Sequence, residues 1–195
     1  KKNAIKQGLD IEIVVFNEYI LPNLALAQKD IDINSYQNQP FLNRFNADRG
    51  TDLVPLAKTV NFPLGIYSKK IKSLKELKKG DLVGIQNDPT NGARALLLFQ
   101  TAGVIKLKPG IGIKATIQDI VSNPLNIKFI ELEASQIPSH LDEVAVATIN
   151  TNFATAAGLN PKKDSIFLEP AQSPYVNLLV VRKEDKDKPI FKKLV

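Results

Sequence analysis

The alternation of apolar and polar positions divides the chain into short strands and helices. The clearest example is residues 82–99, where a β-rich apolar run leads through a polar turn into an apolar helix. Strands are predicted over 11–16, 31–36, 53–58, 62–68, 82–86, 128–132, 145–149, 165–168 and 175–181. Helices are predicted over 1–7 (its last turns), 21–27, 40–48, 73–77, 93–102, 116–121, 135–141, 152–157 and within the tail 182–195.

This order of elements predicts an α/β fold with mostly parallel sheets. The chain is expected to form two lobes, residues 1–70 with 171–195 and residues 71–170, crossing between them near 62–68 and 175–181. A ligand cleft is expected between the lobes, at the carboxyl ends of strands. A helix that leads into the strand at 11–16 implies an earlier strand, so a first strand and part of the first helix are expected before residue 1.

Composition narrows the class of protein. The chain is 44% hydrophobic and 24% charged, as in ordinary soluble proteins, and its apolar runs are far shorter than the ~20 residues that a membrane span needs. The net charge is +6, but the lysines are scattered and few aromatic residues accompany them, which disfavours nucleic-acid binding. The absence of cysteine excludes disulfides, thiolate metal sites and thiol nucleophiles.

Catalytic chemistry has little support in the sequence. His140 is the only histidine, and its surroundings favour an exposed residue at a helix end. No nucleophile elbow, phosphate-binding glycine loop or metal-ligand spacing is present. We therefore expect a protein that is not an enzyme and that uses no cofactor or metal.

An anion site is suggested by Arg94, which the pattern places in the first turn of the predicted helix 93–102. Cations normally lie at the other helix end, because the macrodipole is positive at the N-terminus. Arg94 there, beside free backbone N–H groups and the amides of Asn87 and Asn91, fits a carboxylate. The alternative is a plain turn at 87–89, with Thr90 or Asn91 as N-cap and Arg94 on the surface.

Two further amides and two tyrosines are candidate ligand contacts. Asn150 follows an apolar strand and Asn177 lies inside one, so each amide either binds a ligand or is satisfied by backbone. Tyr36 and Tyr67 lie at or near strand ends, where they would wall a pocket or belong to the core.

Several segments match a known family together. They are PLGIYSKK (63–70), NDPTNGARALLL (87–98), ATINTNFA (147–154) and SPYVN (173–177), with 129–134 and 158–161 fitting as well. In order and spacing, from about residue 11 to the end, they resemble the methionine-binding lipoproteins of bacterial ABC importers, the NlpA type. The resemblance implies a two-lobed periplasmic-binding-protein fold that closes on free methionine and delivers it to the transmembrane subunits of a permease.

The resemblance also implies roles for particular residues. The family's ligand arginine falls on Arg94, which would pair with the carboxylate, and its binding asparagines fall on Asn150 and Asn177. Its aromatic pocket wall falls on Tyr36 and Tyr67.

One position departs from the family pattern, because Asn38 stands where a histidine is common. The family is further characterised by an N-terminal lipid anchor, expected before residue 1, and by a periplasmic or cell-surface location. Two alternatives stay open: the same fold binding another apolar amino acid or a short peptide, and an effector-sensing domain of a regulator.

Overall fold

The computed structural model describes residues 6, 8–170 and 174–195, and it confirms the predicted α/β class. The chain forms two compact units, Lys1–Asn61 with Pro174–Val195, and Phe62–Ser173. The boundaries expected after residues 70 and 170 differ from these, because the strand at 65–67 pairs within the second unit. The helix predicted over 1–7 lies outside the described residues, apart from residue 6.

Ten strands and six α-helices are found among the described residues. The strands are β1 (Asn34–Asn38), β2 (Val54–Asn61), β3 (Gly65–Tyr67), β4 (Leu82–Gln86), β5 (Lys106–Leu107), β6 (Ile120–Ser122), β7 (Lys128–Leu132), β8 (Val146–Ile149), β9 (Phe167–Leu168) and β10 (Val176–Val181). The helices are α1 (Leu21–Ala27), α2 (Gln39–Arg49), α3 (Pro89–Thr101), α4 (Thr151–Ala156), α5 (Pro161–Asp164) and α6 (Pro189–Leu194). Short 3-10 helices cover Leu74–Glu76, Gly112–Lys114, Ile117–Asp119, Ile137–His140 and Lys183–Asp185.

The first unit is built on an antiparallel sheet in the order β1-β10-β2. Apolar side chains of α1, α2, β10 and the residue before β2 form its core, namely Leu26, Leu42, Phe45, Leu53, Leu178 and Val180. The buried Arg182, just after β10, donates to the carbonyl oxygens of Leu26 and Ile31. It thereby satisfies a carbonyl near the end of α1, a group that helix ends leave without a partner.

The second unit contains a mixed sheet in the order β7-β4-β8-β3-β9. The predicted parallel pairing is found on both sides of β4, with β7 and β8, whereas β3 runs antiparallel to β8 and β9. Helix α3 covers one face, and Leu96 and Phe99 on it pack with Val83 and Ile85 of β4. A separate pair, β5 with β6, completes the described strands of this unit.

Some predicted elements are wrong or shorter than expected. Residues 11–16 form no strand, and Ile13, Val14 and Val15 are 67%, 50% and 81% exposed. A strand needs a neighbour for its backbone groups, and the described residues supply none here. The predicted helix 116–121 is one 3-10 turn followed by β6, because β-branched residues favour the extended form.

The helices expected at 73–77 and 135–141 are likewise single 3-10 turns. Within the described parts of the chain, no helix is long and apolar enough to cross a membrane.

Candidate functional site

Two buried amide side chains meet at one edge of the second unit's sheet. Gln86 is the last residue of β4, and Asn150 directly follows β8. The two strands are parallel neighbours, so their carboxyl ends share an edge. Ligands of open α/β sheets bind at such an edge. Asn150 therefore lies at a position of the fold where a ligand site is expected, although its contact with a ligand stays a prediction.

A continuous chain of hydrogen bonds runs through this edge. Gln86 Nε2 donates to Asn150 Oδ1 at 2.8 Å, and Asn150 Nδ2 donates to Asn91 Oδ1 at 3.0 Å. At one end Thr148 Oγ1 donates to Gln86 Oε1 at 2.8 Å, and at the other Asn91 Nδ2 donates to Asp88 Oδ2 at 2.9 Å. The structure thus brings together Asn91 and Asn150, two of the predicted site residues.

Helix α3 begins at Pro89 rather than at residue 93, which changes the role of the preceding turn. Asp88 is the N-cap, with Oδ1 accepting from the backbone N–H of Asn91 at 2.9 Å. The proposed caps Thr90 and Asn91 are wrong, and Arg94 lies in the second turn instead of the first. Burial raises the pKa of the Asp88 carboxyl, although hydrogen bonds from Asn91 and the charge of Arg94 oppose the rise.

Arg94 is buried, with 4% of the residue exposed, so the alternative that it is a surface residue is wrong. Its Nε donates to Glu169 Oε1 at 2.9 Å and its Nη2 to Glu169 Oε2 at 2.5 Å. Nη2 also donates to the carbonyl oxygen of Phe62 at 3.0 Å. This bidentate pairing fixes the plane of the guanidinium. Its contact with a ligand carboxylate stays a prediction.

In the first unit, the ring of Tyr36 packs against the rings of Tyr19 and Phe41. Its ring stacks on that of Tyr19, with centroids 6.1 Å apart and planes 25° from parallel. Phe41, in the first turn of α2, meets both rings edge-on, 6.1 Å from Tyr19 and 6.0 Å from Tyr36. Such rings make favourable contacts with a thioether sulfur. Tyr36, one of the two tyrosines of the predicted pocket wall, therefore lies among other aromatic rings, and its contact with a ligand stays a prediction.

Asn38 and Asn177 lie opposite each other in the β1–β10 pairing. Asn38 is the N-cap of α2, because its Oδ1 accepts from the backbone N–H of Phe41 at 3.0 Å. Asn38 thus also fixes the start of the helix turn that carries Phe41. Asn177 is half-buried on β10. The register brings these two predicted site residues together.

A buried amide cluster holds the strand that carries Tyr36 and Asn38. Asn23 Nδ2 of α1 donates to Gln37 Oε1 at 2.8 Å, and Gln37 Nε2 donates back to Asn23 Oδ1 at 2.6 Å. Asn34 Nδ2 donates to the same Asn23 Oδ1 at 2.9 Å. These bonds tie α1 to β1 and leave little freedom in the strand.

Two predicted site residues are not brought to either group. Tyr67 is 1% exposed, and its ring packs in a core cluster that includes Ile137 and Ile149. Burial raises the pKa of the Tyr67 hydroxyl to about 12, and the charge of Asp164 adds to the rise. Asn87 is an exposed residue that directly follows β4. Its backbone N–H donates to the carbonyl oxygen of Leu132, the last residue of β7, at 2.9 Å.

Several residues of these groups were not found by sequence reasoning. Gln86 and Thr148 are polar residues inside apolar strands, so the signal that pointed to Asn150 was present for them too. The pairing of Glu169 with Arg94 joins positions 75 residues apart, and no local pattern indicates it. The other residues missed are Asp88 in the second unit and Tyr19 and Phe41 in the first.

Comparison with known proteins agrees with this architecture. The family model described as NlpA lipoprotein matches residues 1–195. The chain is 53% identical over 192 residues to the D-methionine-binding lipoprotein MetQ of Salmonella typhimurium, covering 97% of this chain and 71% of that protein. It is 52% identical to the protein of the same name from Escherichia coli K12, over the same shares of the two chains.

Solved structures give the same result. A nutrient-binding protein from Burkholderia cenocepacia, solved bound to methionine, matches with a TM-score of 0.96 and 49% identity. That match covers 98% of this chain and 80% of the other. A crystal structure of the methionine-binding protein MetQ matches with a TM-score of 0.96 and 51% identity, over 98% and 79% of the two chains. The chain belongs to the NlpA lipoprotein family.

Proposed function

We propose that the protein captures free methionine in the periplasm or at the cell surface and delivers it to the permease of an ABC importer. The observation that carries this proposal is the close likeness to a protein solved with methionine bound. The names of the curated relatives support it, since they are methionine-binding lipoproteins. The permease partner and the lipid anchor are proposed from the family alone.

The second unit offers polar groups for the amino-acid end of such a ligand. Arg94 is proposed to pair with the carboxylate, and Glu169 keeps its guanidinium in one orientation. A preorganised group binds more tightly, because less motion is lost on binding. Asn150 and Asn91 are proposed to give hydrogen bonds to this end of the ligand, while a ligand contact of the exposed Asn87 stays a prediction.

The first unit offers groups for the side chain. The rings of Tyr19, Tyr36 and Phe41 are proposed to contact the thioether. Asn38 and Asn177, opposite each other on β1 and β10, are proposed to add amide hydrogen bonds. The wall role of Tyr67 stays a prediction, which its place in the core does not favour.

A thermal-shift panel tests the ligand class. Because a ligand that binds only the folded state raises the melting temperature, L- or D-methionine should raise it more than leucine or a methionine dipeptide at equal concentration. A larger rise in melting temperature with leucine or the dipeptide would show that methionine is not the preferred ligand.

Arg94→Ala tests the proposed carboxylate contact. We expect it to weaken methionine binding by about 2–4 kcal/mol, as for loss of a buried ion partner. Arg44→Ala is the control, since Arg44 forms an exposed ion pair with Asp48 at 2.7 Å on α2, and this change should leave affinity unchanged. Unchanged affinity in a folded Arg94→Ala protein would remove Arg94 from the site.

A further inference from the structure

We propose that Gln86 and Thr148 are positioning residues that fix which way the side-chain amides of Asn150 and Asn91 point. The inference rests on the proposed methionine binding, because Asn150 and Asn91 are its predicted ligand contacts. Both positioning residues are 0% exposed, so they act only through their neighbours.

Gln86 can satisfy its neighbours in only one orientation. Its Nε2 lies 3.1 Å from the carbonyl oxygen of Thr148 and 2.8 Å from Asn150 Oδ1. Its Oε1 lies 2.8 Å from Thr148 Oγ1. Turning the amide around would set Oε1 against two oxygens, and a buried carbonyl left without a donor is strongly disfavoured.

Two groups of Thr148 hold this orientation, since its carbonyl oxygen, which can only accept, faces Gln86 Nε2 and its hydroxyl faces Gln86 Oε1. Thr148 Oγ1 faces two oxygens, Gln86 Oε1 at 2.8 Å and the carbonyl oxygen of Gly84 at 3.5 Å. Neither oxygen carries a hydrogen, and the single hydrogen of the hydroxyl goes to the nearer one, Gln86 Oε1. The oxygen of the Gln86 amide is therefore held on the Thr148 side.

The orientation passes along the chain to Asp88. With Asn150 Oδ1 held by Gln86, Asn150 Nδ2 must face Asn91 Oδ1, and Asn91 Nδ2 must face the Asp88 carboxylate. Asp88 is itself held as the N-cap of α3. In all four bonds the donor lies on the Thr148 side and the acceptor on the Asp88 side, and hydrogen bonds aligned in this way strengthen one another.

The result is a defined hydrogen-bond character for Asn150. One hydrogen of its Nδ2 goes to Asn91, and among residues 6, 8–170 and 174–195 the structure shows no acceptor for the other. Asn150 can therefore offer a donor to an acceptor on the ligand, such as a carboxylate oxygen. An amide free to turn would offer a donor or an acceptor with similar ease.

Three threonine variants of the protein test this assignment. Thr148→Val keeps the shape and removes the hydroxyl, Thr148→Ser keeps the hydroxyl, and Thr101→Val makes the same change at an exposed threonine that bonds only within α3. The readouts are the side-chain amide NMR signals of Asn150 and Asn91 without ligand, the calorimetric affinity for L- and D-methionine, and the melting temperature.

We expect Thr148→Val to shift the signals of both amides and to weaken methionine binding by about tenfold, which corresponds to ~1.4 kcal/mol. Thr148→Ser should restore both properties, and Thr101→Val should change neither. A wild-type protein that binds no methionine would refute the proposed function, while the ligand-free amide signals would still decide the orientation claim.

Unshifted Asn150 signals in Thr148→Val would overturn the proposal. So would a Thr148→Ser protein that melts like the wild type but shows the amide signals of Thr148→Val. Should Thr148→Val not fold, Gln86→Met removes the amide at similar length, and unshifted Asn150 signals in it would equally overturn the assignment.

Discussion

At the scale of single residues, Arg94 and Glu169 form a buried ion pair. Their side chains are 5% and 9% exposed, so water does little to stabilise either charge alone. Besides the ligand role proposed for it, Arg94 therefore has a structural role, because it neutralises the buried carboxylate of Glu169. A change at this position must be measured for stability as well as for binding.

We expect Arg94→Ala to lower the free energy of unfolding by about 3–5 kcal/mol, because it leaves the Glu169 carboxylate buried without its partner. The double variant Arg94→Met with Glu169→Met should lose less than the sum of the two single changes, since the charges are removed together. Urea unfolding of the wild type, Arg94→Met, Glu169→Met and the double variant measures this coupling. Strictly additive losses would show that the pair contributes no interaction energy.

Tyr67 provides a second test at this scale. Its hydroxyl is buried and has no hydrogen-bond partner among the described residues. Tyr67→Phe removes an unsatisfied polar group, so the free energy of unfolding should stay the same or rise by about 1 kcal/mol. Methionine affinity should not change, because the ring remains in the core.

The same residue predicts a pH dependence. The pKa of Tyr67 is raised from 10.0 to about 12 in the folded protein, so the unfolded chain loses this proton first. Its contribution to stability should therefore fall as the pH rises from about 10 to about 12. Urea unfolding across this range should show a steeper loss in the wild type than in Tyr67→Phe. Parallel curves would contradict the raised pKa.

At the scale of elements, the close approach of α3 to the end of β4 holds the polar edge together. A Cβ atom at Gly92 would lie 2.9 Å from the carbonyl oxygen of Gln86, which is backbone and cannot turn away. Only glycine allows this approach. The contact places the first turns of α3, with Asn91 and Arg94, against the strand that ends in Gln86.

Gly92→Ala should therefore lower the free energy of unfolding by about 1–3 kcal/mol, because the helix must shift away from the strand. Helix propensity alone predicts the opposite, a gain of about 1 kcal/mol for alanine. Thermal or urea unfolding decides between the two. A stabilised Gly92→Ala protein would show that the approach is not tight.

The elements also show what the sequence can predict. The sequence predicts β4 with its observed ends, because Leu82–Gln86 is a short, mostly apolar run that leads into a polar turn. The strand expected at 11–16 has as good a pattern, but a pattern does not show whether a neighbouring strand exists. The start of α3 was missed, although Asp88 followed by Pro89 is a regular N-cap signal.

For the candidate site, local signals identified the amides but not their partners. Asn150 stood out because it ends an apolar strand, and the structure gives it Gln86 and Asn91 as neighbours. The Arg94–Glu169 pair depends on the folded path of the chain, which residue types alone do not reveal. Tyr67 looked like a pocket residue by position, yet burial assigns its ring to the core.

At the scale of the whole molecule, the two units carry different parts of the proposed chemistry. The first unit presents aromatic rings, and the second presents Arg94 and the oriented amides. This division suits an amino acid that has an apolar side chain and a charged end. The NlpA lipoprotein family model matches residues 1–195 and so covers both units.

The most direct test of the central claim is a calorimetric titration of the protein with L- and D-methionine. The protein is first unfolded and refolded by dialysis, so that any bound small molecule is removed. We predict saturable binding of at least one enantiomer at one molecule per chain, with leucine binding more weakly. No heat of binding from either enantiomer, in a protein that has regained its native circular dichroism spectrum, would contradict the account.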